Sequence, residues 1–510
     1  MKKEQGICGD FSLNNVAKSP IDTAEETIII VAIIAVVIFI LGYVATNIFT
    51  SAQMYIIRPI LVSIAVFIMF SYVLWIRVRV YIFGEIGFIF LALALAYTIS
   101  PAIKTLLLDF YFPPDFDGLN FAVLSPKPAE LGTHFWRHVL FISSVATGYL
   151  TVRGGRLPIV PMNVTPARKY GRVIATMIII MVCCVFVVSL LLPSATTYIE
   201  HYTRFDNLSW RERKIVDLCL IFKNGGYFVL LALMFSQYRR FRIFIFIIVP
   251  IFCAYEILFS FGSRIVAFTL SIAVLGFYHF RVNPISLKKS IVLLIALAMI
   301  FSCIGLIRHF KYDIEEAQYN LIKQNEIQAS ELEAVYCTSF HLYYERGQGT
   351  LPSRDWQMFF NNFISIIPFI DHIKYNPQYW YARNYFPEAV VPPTTMGILA
   401  DSAIWGGEWD LLARGLINGA LFALLTRWFL YRRNKWWALT IYIYCFATCI
   451  MTLKYSVLFQ LAPLCRVILP SLLLAEFLFR FQRTTALLKK VTEPTLAPML
   501  KLSNKSKLIP

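Results

Sequence analysis

Long apolar runs, broken by short charged loops, dominate this 510-residue chain. A helix needs about 20 mostly apolar residues to cross a hydrocarbon core of about 30 Å. Runs of that kind lie near 27–49, 56–76, 80–100, 135–152, 173–192, 216–235, 243–260, 265–280, 290–307, 411–429, 437–453 and 459–479. They predict about twelve transmembrane helices. One interruption, from Arg308 to Asp410, is far longer than the rest. The pattern thus divides the chain into a polar tail (1–26), a first helical block (27–307), a large loop containing helices (308–410), a second helical block (411–480) and a basic tail (481–510). The expected fold class is an all-α integral membrane protein.

Composition agrees with the pattern. Hydrophobic residues make up 58% and charged residues 15% of the chain, and the mean hydropathy is +0.64. A soluble domain is only about 45–50% apolar. The distribution of positive charge then sets an orientation. Lys and Arg gather in the loops that follow even-numbered spans: Arg77 and Arg79; Arg153, Arg156, Arg168, Lys169 and Arg172; Arg239, Arg240 and Arg242; Arg281, Lys288 and Lys289; Arg427, Arg432, Arg433 and Lys435. The C-terminal tail adds Arg480, Arg483, Lys489, Lys490, Lys501, Lys505 and Lys507. By the positive-inside rule both termini are expected in the cytoplasm and the large loop on the outer side. The net charge of +17 then reflects topology and anionic lipid headgroups, and no nucleic-acid partner is implied.

Nearly all cysteines fall in the apolar runs, and only Cys337 is expected to face outward, so no disulfide framework is implied. No Cys or His spacing suggests a metal site. Residues 1–26 lack the apolar core of a signal peptide and read as a cytoplasmic tail.

Polar residues inside or beside the spans are the candidates for chemistry. Arg58 and Glu85 are expected to snorkel or cap at helix ends. The Pro- and Asp-rich stretch 113–118 reads as a turn. His134, Arg137 and His138 open a span and are expected to anchor at headgroups or to meet an anionic ligand. The mixed charges of 194–215 read as a solvated surface. Lys223, inside a span, requires a partner or a water-filled cavity. Phe261-Gly262-Ser263-Arg264 forms a whole outer connection, where Arg264 beside a new helix N-terminus suits a phosphate or an interfacial anchor.

The loop itself has three parts. Arg308, Lys311 and Tyr312 stand at helical spacing where the chain leaves the membrane, ahead of a polar, acidic helix. Arg354–Ile370 has the mixed aromatic pattern of an interfacial helix. Tyr375–Tyr385 includes Tyr379, Trp380, Tyr381 and Arg383, which form either an aromatic belt or a platform for the C–H-rich faces of sugars. The loop ends at Pro392-Pro393-Thr394-Thr395, where a Thr is expected to cap a short helix carrying Asp401 and ending near Trp405-Gly406-Gly407. Glu408, Asp410 and Arg414 follow, so several of these charges are expected to pair. Gly415-x-x-x-Gly419 then permits close helix packing. Lys454 and Arg466 are further basic residues on the outer half of later spans.

The span plan, the large loop before the third-last span, Gly262-Ser263-Arg264 and Gly397-x-x-x-Asp401-x-x-x-Trp405-Gly406-Gly407 together resemble the bacterial O-antigen polymerase family, with Asp where members commonly carry Glu. The resemblance implies a GT-C-like membrane glycosyltransferase of the bacterial inner membrane. Such an enzyme polymerises polyprenyl-diphosphate-linked oligosaccharide repeat units at the periplasmic face, with inversion. Donor and acceptor lipids, membrane lipids and a chain-length regulator protein are the partner classes it implies.

That chemistry requires cations around a departing diphosphate and a base for the acceptor hydroxyl. Arg264, Arg308 and Arg414 are the first candidates for the diphosphate, followed by Arg383 and Lys311. Asp401 is the first candidate for the base, followed by Glu408 and His341. Tyr379, Trp380, Tyr381 and Trp405 are candidates for sugar contacts. No metal or other cofactor is expected. An O-antigen ligase shares the donor and is the nearest alternative; a flippase or transporter of lipid-linked sugars and a structural scaffold are readings of other classes.

Overall fold

The computed structural model describes residues 49–107, 115–116, 119–120, 127–154, 170–192, 204–205, 207–259, 264–286, 289, 292–293, 331–354, 356–358, 360, 377–385, 396–433, 435–454 and 461–492. Its helices are α1 (Ser51–Val78), α2 (Ile86–Leu107), α3 (Pro128–Arg153), α4 (Gly171–Leu191), α5 (Trp210–Ser236), α6 (Tyr238–Phe259) and α7 (Arg264–Arg281). They continue with α8 (Glu331–Gln348), α9 (Pro377–Tyr385), α10 (Ile398–Trp405), α11 (Glu408–Arg432), α12 (Trp436–Thr448), α13 (Ile450–Lys454) and α14 (Leu469–Thr492). A 3₁₀ turn, Arg79–Gly84, joins α1 to α2, and a wide π-type turn, Leu464–Ile468, leads into α14. Of the expected turn near residues 113–118 only Asp115–Phe116 is described; it is a short strand that pairs antiparallel with Leu119–Asn120, Asp115 opposite Asn120 and Phe116 opposite Leu119.

Among the described residues five helical stretches are long and apolar enough to cross a membrane: Ser51–Val78, Ile86–Ile103, Gly171–Leu191, Trp210–Ser236 and Glu408–Arg432. Helices also occupy the expected segments 135–152, 243–260, 265–280 and 437–453, the last of them broken between α12 and α13. The expected spans at 27–49, apart from residue 49, and at 290–307, apart from residues 292–293, lie outside the described residues. The protein is therefore a helical, membrane-type bundle.

Local signals start the long helices. Thr50 Oγ1 accepts from the Gln53 backbone N–H, while the Gln53 side chain accepts from that of Thr50, a reciprocal cap for α1. Glu130 accepts from the Lys127 backbone behind Pro128 at the first position of α3. Ser209 and Glu212 form the same kind of box at the start of α5, inside the stretch expected to be a merely solvated surface.

The contact between α3 and α11 is backbone to backbone. A Cβ on Gly415 would overlap Ser144, one on Gly419 would overlap the Val145 carbonyl, and one on Gly148 would overlap that of Leu416. Gly415-x-x-x-Gly419 thus has the packing role expected of it. Helix α1 lies beside α3 in the same direction: Tyr55 faces Gly132 near one end, and Arg77 Nη1 donates to Leu150 O (3.0 Å) near the other. Helix α2 runs the opposite way, with Glu85 near Arg153 and Thr98 near His138. The end at which α1, α3 and α11 begin is called the upper end below. Between the two ends, aromatic rings fill the core, with Phe90 4.9 Å from Phe422 and Phe429 stacked on Tyr442 at 4.3 Å.

At the lower end a buried polar network joins several helices. Arg153 grips both oxygens of Glu85, through Nε and Nη2, at 2.9 Å each. Tyr149 donates a short hydrogen bond to Glu85, and Tyr442 donates to Gly84 O at 2.6 Å and lies 3.2 Å from Thr426 Oγ1. Glu85 does cap a helix end, closing the Arg79–Gly84 turn, but its side chain does not snorkel: it is 3% exposed and held by Arg153 and Tyr149 of α3. Arg427 Nη1 donates to Val152 O at 3.0 Å, so Arg77, Arg153 and Arg427, expected on one side, do gather at one end. Lys223 likewise finds a counter-ion, with Nζ 2.6 Å from Glu256 across the α5–α6 contact.

Two outcomes are expected from this packing. Gly419→Leu forces a side chain into backbone and should cost upwards of about 1–3 kcal/mol. It should lower the melting temperature in detergent, read by fluorescence-detected size exclusion. Gly171→Ala, where a Cβ meets nothing within 4 Å, should leave the temperature unchanged. Glu85→Ala strands a buried guanidinium and should cost about 3–5 kcal/mol, whereas the paired Glu85→Leu/Arg153→Met change should recover most of that loss.

Candidate active site

Helices α8 and α10 cover the upper end. Helix α8 is apolar on two faces. Tyr336, Cys337 and Phe340 pack against Ile56, Ala102, Leu131 and Phe135 of the bundle, while Leu342 and Tyr343 pack with Ala400, Ala403 and Ile404 of α10. A helix with two apolar faces is driven between two layers, not onto a surface. The start of α10 is close-packed as well. Its N-cap is Gly397 and not the expected Thr, because a Cβ there would overlap Val335 and the Leu453 carbonyl. Thr394 and Thr395 lie outside the described residues.

Hydrogen-bond bookkeeping fixes two imidazoles beneath α8. Ser339 donates its hydroxyl proton to Tyr336 O, so His134 Nε2, 3.0 Å from Ser339 Oγ, must be protonated and donate. Thr98 donates to Ala94 O, so His138 Nδ1, 3.2 Å away, must also donate. Both histidines are buried. His134 and His138 therefore anchor a helix rather than lipid headgroups, and of the His134-Arg137-His138 trio only Arg137 reaches the charged cluster.

That cluster sits where α10 meets α11. Arg414 Nη1 donates a short hydrogen bond to Asp401 Oδ2, and its Nε donates to Asp410 Oδ2 at 2.5 Å. Trp405 Nε1 donates to the other Asp401 oxygen at 3.2 Å. Arg137 Nε donates to Glu408 Oε1 at 2.8 Å, and its guanidinium lies 4.1 Å from the centre of the Tyr343 ring. Arg346 Nη1 donates to Ala403 O at 2.8 Å and its side chain lies against Gly407, whose left-handed φ of 68° turns the chain into α11. Tyr343 donates to Ser402 Oγ at 2.9 Å, since the Ser402 proton goes to Leu399 O. Burial pushes the Tyr343 phenol up to about 12 and keeps it a neutral donor.

The structure sorts the sequence candidates. It brings Asp401, Trp405, Glu408 and Arg414 together, with the expected pairing among them and Asp410. Asp401 is 2% exposed and spends one oxygen on Arg414 and the other on Trp405, whereas the Glu408 side chain is 52% exposed. His341 is buried on α8 among other partners: Nδ1 lies 2.8 Å from the Tyr381 hydroxyl and Nε2 3.7 Å from Glu345. Trp380 and Tyr381 belong to the apolar core between α9 and α10, so the Tyr379-Trp380-Tyr381 run is no open platform; Tyr379 and Arg383 are exposed. Arg264 is the first residue of α7, while Arg308 and Lys311 lie outside the described residues. Arg346 and Glu345 were missed. Their signal was a helix C-terminus, Glu345-Arg346-Gly347-Gln348-Gly349, closed by a left-handed Gly349 whose N–H donates to Arg346 O. Among the described residues no group of three or more His, Cys, Asp or Glu could hold a metal ion.

Comparison with known proteins places no relative beside this chain: no family model, no curated protein and no solved structure matches it.

Burial lowers the His341 pKa from 6.5, against the opposing pull of Glu345. A depressed folded-state value means that the unfolded chain binds the proton more readily. The stability of the α8–α9 contact is therefore complete above pH 6.5 and is lost as pH falls through the folded-state value. Hydrogen-exchange protection of 331–348 and 377–385, corrected for intrinsic rates, should fall as pH drops below 6.5. His341→Phe should flatten that dependence; an unaltered slope would assign it to another group.

Proposed function

We propose that this protein is a membrane glycosyltransferase that polymerises polyprenyl-diphosphate-linked oligosaccharide repeat units at the periplasmic face of a bacterial inner membrane. The observation that carries this reading is the cluster at the upper end, where cations, carboxylates and indoles meet where apolar helices begin. A lipid-linked sugar diphosphate has those three needs, at that height. In this reading the chain weaves about twelve times through the bilayer, both termini are cytoplasmic, and 308–410 folds over the outer surface.

The roles follow from the contacts. Arg414 and Arg137 hold their carboxylates with only part of their N–H sets and offer the rest to diphosphate oxygens; Arg264, Arg308 and Lys311 are proposed as further diphosphate ligands from their places in the sequence. Glu408, half-exposed at the start of α11, is the carboxylate that an acceptor hydroxyl reaches. The hydroxyl oxygen attacks the anomeric carbon as the diphosphate leaves, which inverts that centre.

Deleting the protein and analysing lipid-linked glycans tests the reading. A polymerase deletion leaves single repeat units on the lipopolysaccharide core. Polymer retained on the carrier would mean a ligase instead, and units trapped facing the cytoplasm would mean a flippase. Arg264→Ala and Arg308→Ala should abolish polymer at normal membrane levels, and a normal ladder of chain lengths would end the diphosphate-clamp assignment. Arg414→Ala is a poorer probe, because it strips Asp401 and Asp410 of their counter-ion and so tests folding.

A further inference from the structure

We propose that the lower end of the bundle binds the phosphate of an anionic phospholipid. The site is centred on Arg281, where α7 ends beside the starts of α4 and α12. It stands whether or not the protein is a glycosyltransferase.

The first observation is a cation without a counter-ion. Arg281 is only part-exposed, and its Nε is buried with no hydrogen-bond partner. Among the described residues no carboxylate pairs with it. Its charge acts on the Tyr170 hydroxyl, just before α4. The acids described at this end are Glu85 and Glu476, and both are taken. Arg153 grips Glu85, and Arg480 lies 3.3 Å from Glu476. A sheltered charge left alone is costly, so Arg281 calls for a counter-ion from outside the chain.

The second observation is the setting of that charge. Phe280 meets Phe429 at 5.0 Å and Tyr442 at 5.7 Å, which sets the end of α7 beside α11 and α12. Tyr170 lies against Phe479 of α14 at 5.3 Å, and Phe479 against Trp436, the first residue of α12, at 5.6 Å. Tyr170, Phe479 and Trp436 thus form a continuous aromatic row that begins at Arg281. Two exposed cations flank the row in the chain, Arg172 just after Tyr170 and Lys435 just before Trp436.

The third observation favours a lipid over a soluble anion. Helices α4 and α14, which adjoin the row, turn apolar side chains outward. Ile179, Val182, Phe186 and Leu190 of α4 and Leu473 and Phe477 of α14 are all 61–67% exposed. An acyl chain can lie along them while its headgroup reaches Arg281. A guanidinium holds two phosphate oxygens at once, and aromatic rings suit the boundary between headgroup and chain. Basic pockets between membrane helices take anionic headgroups in this way. Free phosphate would use the guanidinium and leave the apolar stripes idle.

The experiment uses the full-length protein in detergent, with phosphatidylglycerol as the probe and phosphatidylcholine as the zwitterionic comparison. Native mass spectrometry counts retained lipid, and fluorescence-detected size exclusion reads the melting temperature. Phosphatidylglycerol should be retained and should raise the melting temperature; phosphatidylcholine should do neither, and equal effects of the two would overturn the site. Arg281→Gln should weaken phosphatidylglycerol binding about five- to tenfold. Arg480→Gln, which removes an exposed cation at the same end, should leave binding unchanged. Equal weakening by both changes would make the binding a diffuse surface attraction and overturn the site, as would unchanged binding in Arg281→Gln. Inorganic phosphate that stabilises the protein as well as the lipid does would assign the site to a free anion and overturn the lipid. If Arg281→Gln does not reach the membrane, Arg281→Lys is read in its place. It keeps the charge, loses the two-point contact and should weaken binding about threefold, and wild-type affinity there would overturn the site.

Discussion

The direct backbone contact of α3 with α11 is the constraint on which the rest depends. Apolar side chains gain little by leaving lipid for one another, so helices in a membrane associate through close van der Waals fit and polar ties. Gly148, Gly415 and Gly419 remove the side chains that would otherwise hold the two helices apart. Only at that separation does Arg137 reach Glu408 near the upper end and Arg427 reach Val152 O near the lower. The Arg137–Glu408 contact therefore depends on side chains that α3 and α11 lack.

Charge in this bundle is used pairwise and between elements. Arg153 with Glu85 ties α3 to the start of α2, Lys223 with Glu256 ties α5 to α6, and Arg414 with Asp401 ties α11 to α10. Two opposite charges in a dry interior add modest net stability, but a single one left behind is costly. Each pair thus penalises a shift of one helix past the other. The cluster at the upper end differs from the other pairs because it couples several carboxylates and guanidiniums and keeps Glu408 in contact with solvent.

The helices were legible in the sequence because membrane-length apolar runs are a strong signal, and so was the small-residue motif of α11. The crowding of Asp401, Glu408, Asp410 and Arg414 followed from their nearness in the chain. What was not legible came from elements far apart in sequence. Glu85 does stand at a helix end, but its buried side-chain pairing went unread because its partners lie on α3, more than sixty positions on. Helix α8 went unread as an element of its own: apolar residues on two faces blur a helical period, and the residues that bury it come from α1, α2, α3 and α10. The aromatic run 379–381 looked like a surface because composition cannot say which rings turn inward. Asp401 looked like a base because a sequence shows a carboxylate without its hydrogen bonds.

The lower network also has a mechanical meaning. Glu85, Arg153, Tyr149, Thr426 and Tyr442 bind α2, α3, α11 and α12 into a dry knot, where hydrogen bonds have no water to exchange with. Such a knot fixes the lower part of α11 against its neighbours. From Thr426 to Glu408 the helix reaches about 27 Å at about 1.5 Å per residue. A tilt of about 5° about Thr426 would therefore carry Glu408 about 2 Å, enough to separate a hydrogen-bonded donor and acceptor. Glu85 and its partners, at the far end from the charged cluster, thus help to fix the angle at which α11 presents Glu408 to Arg137.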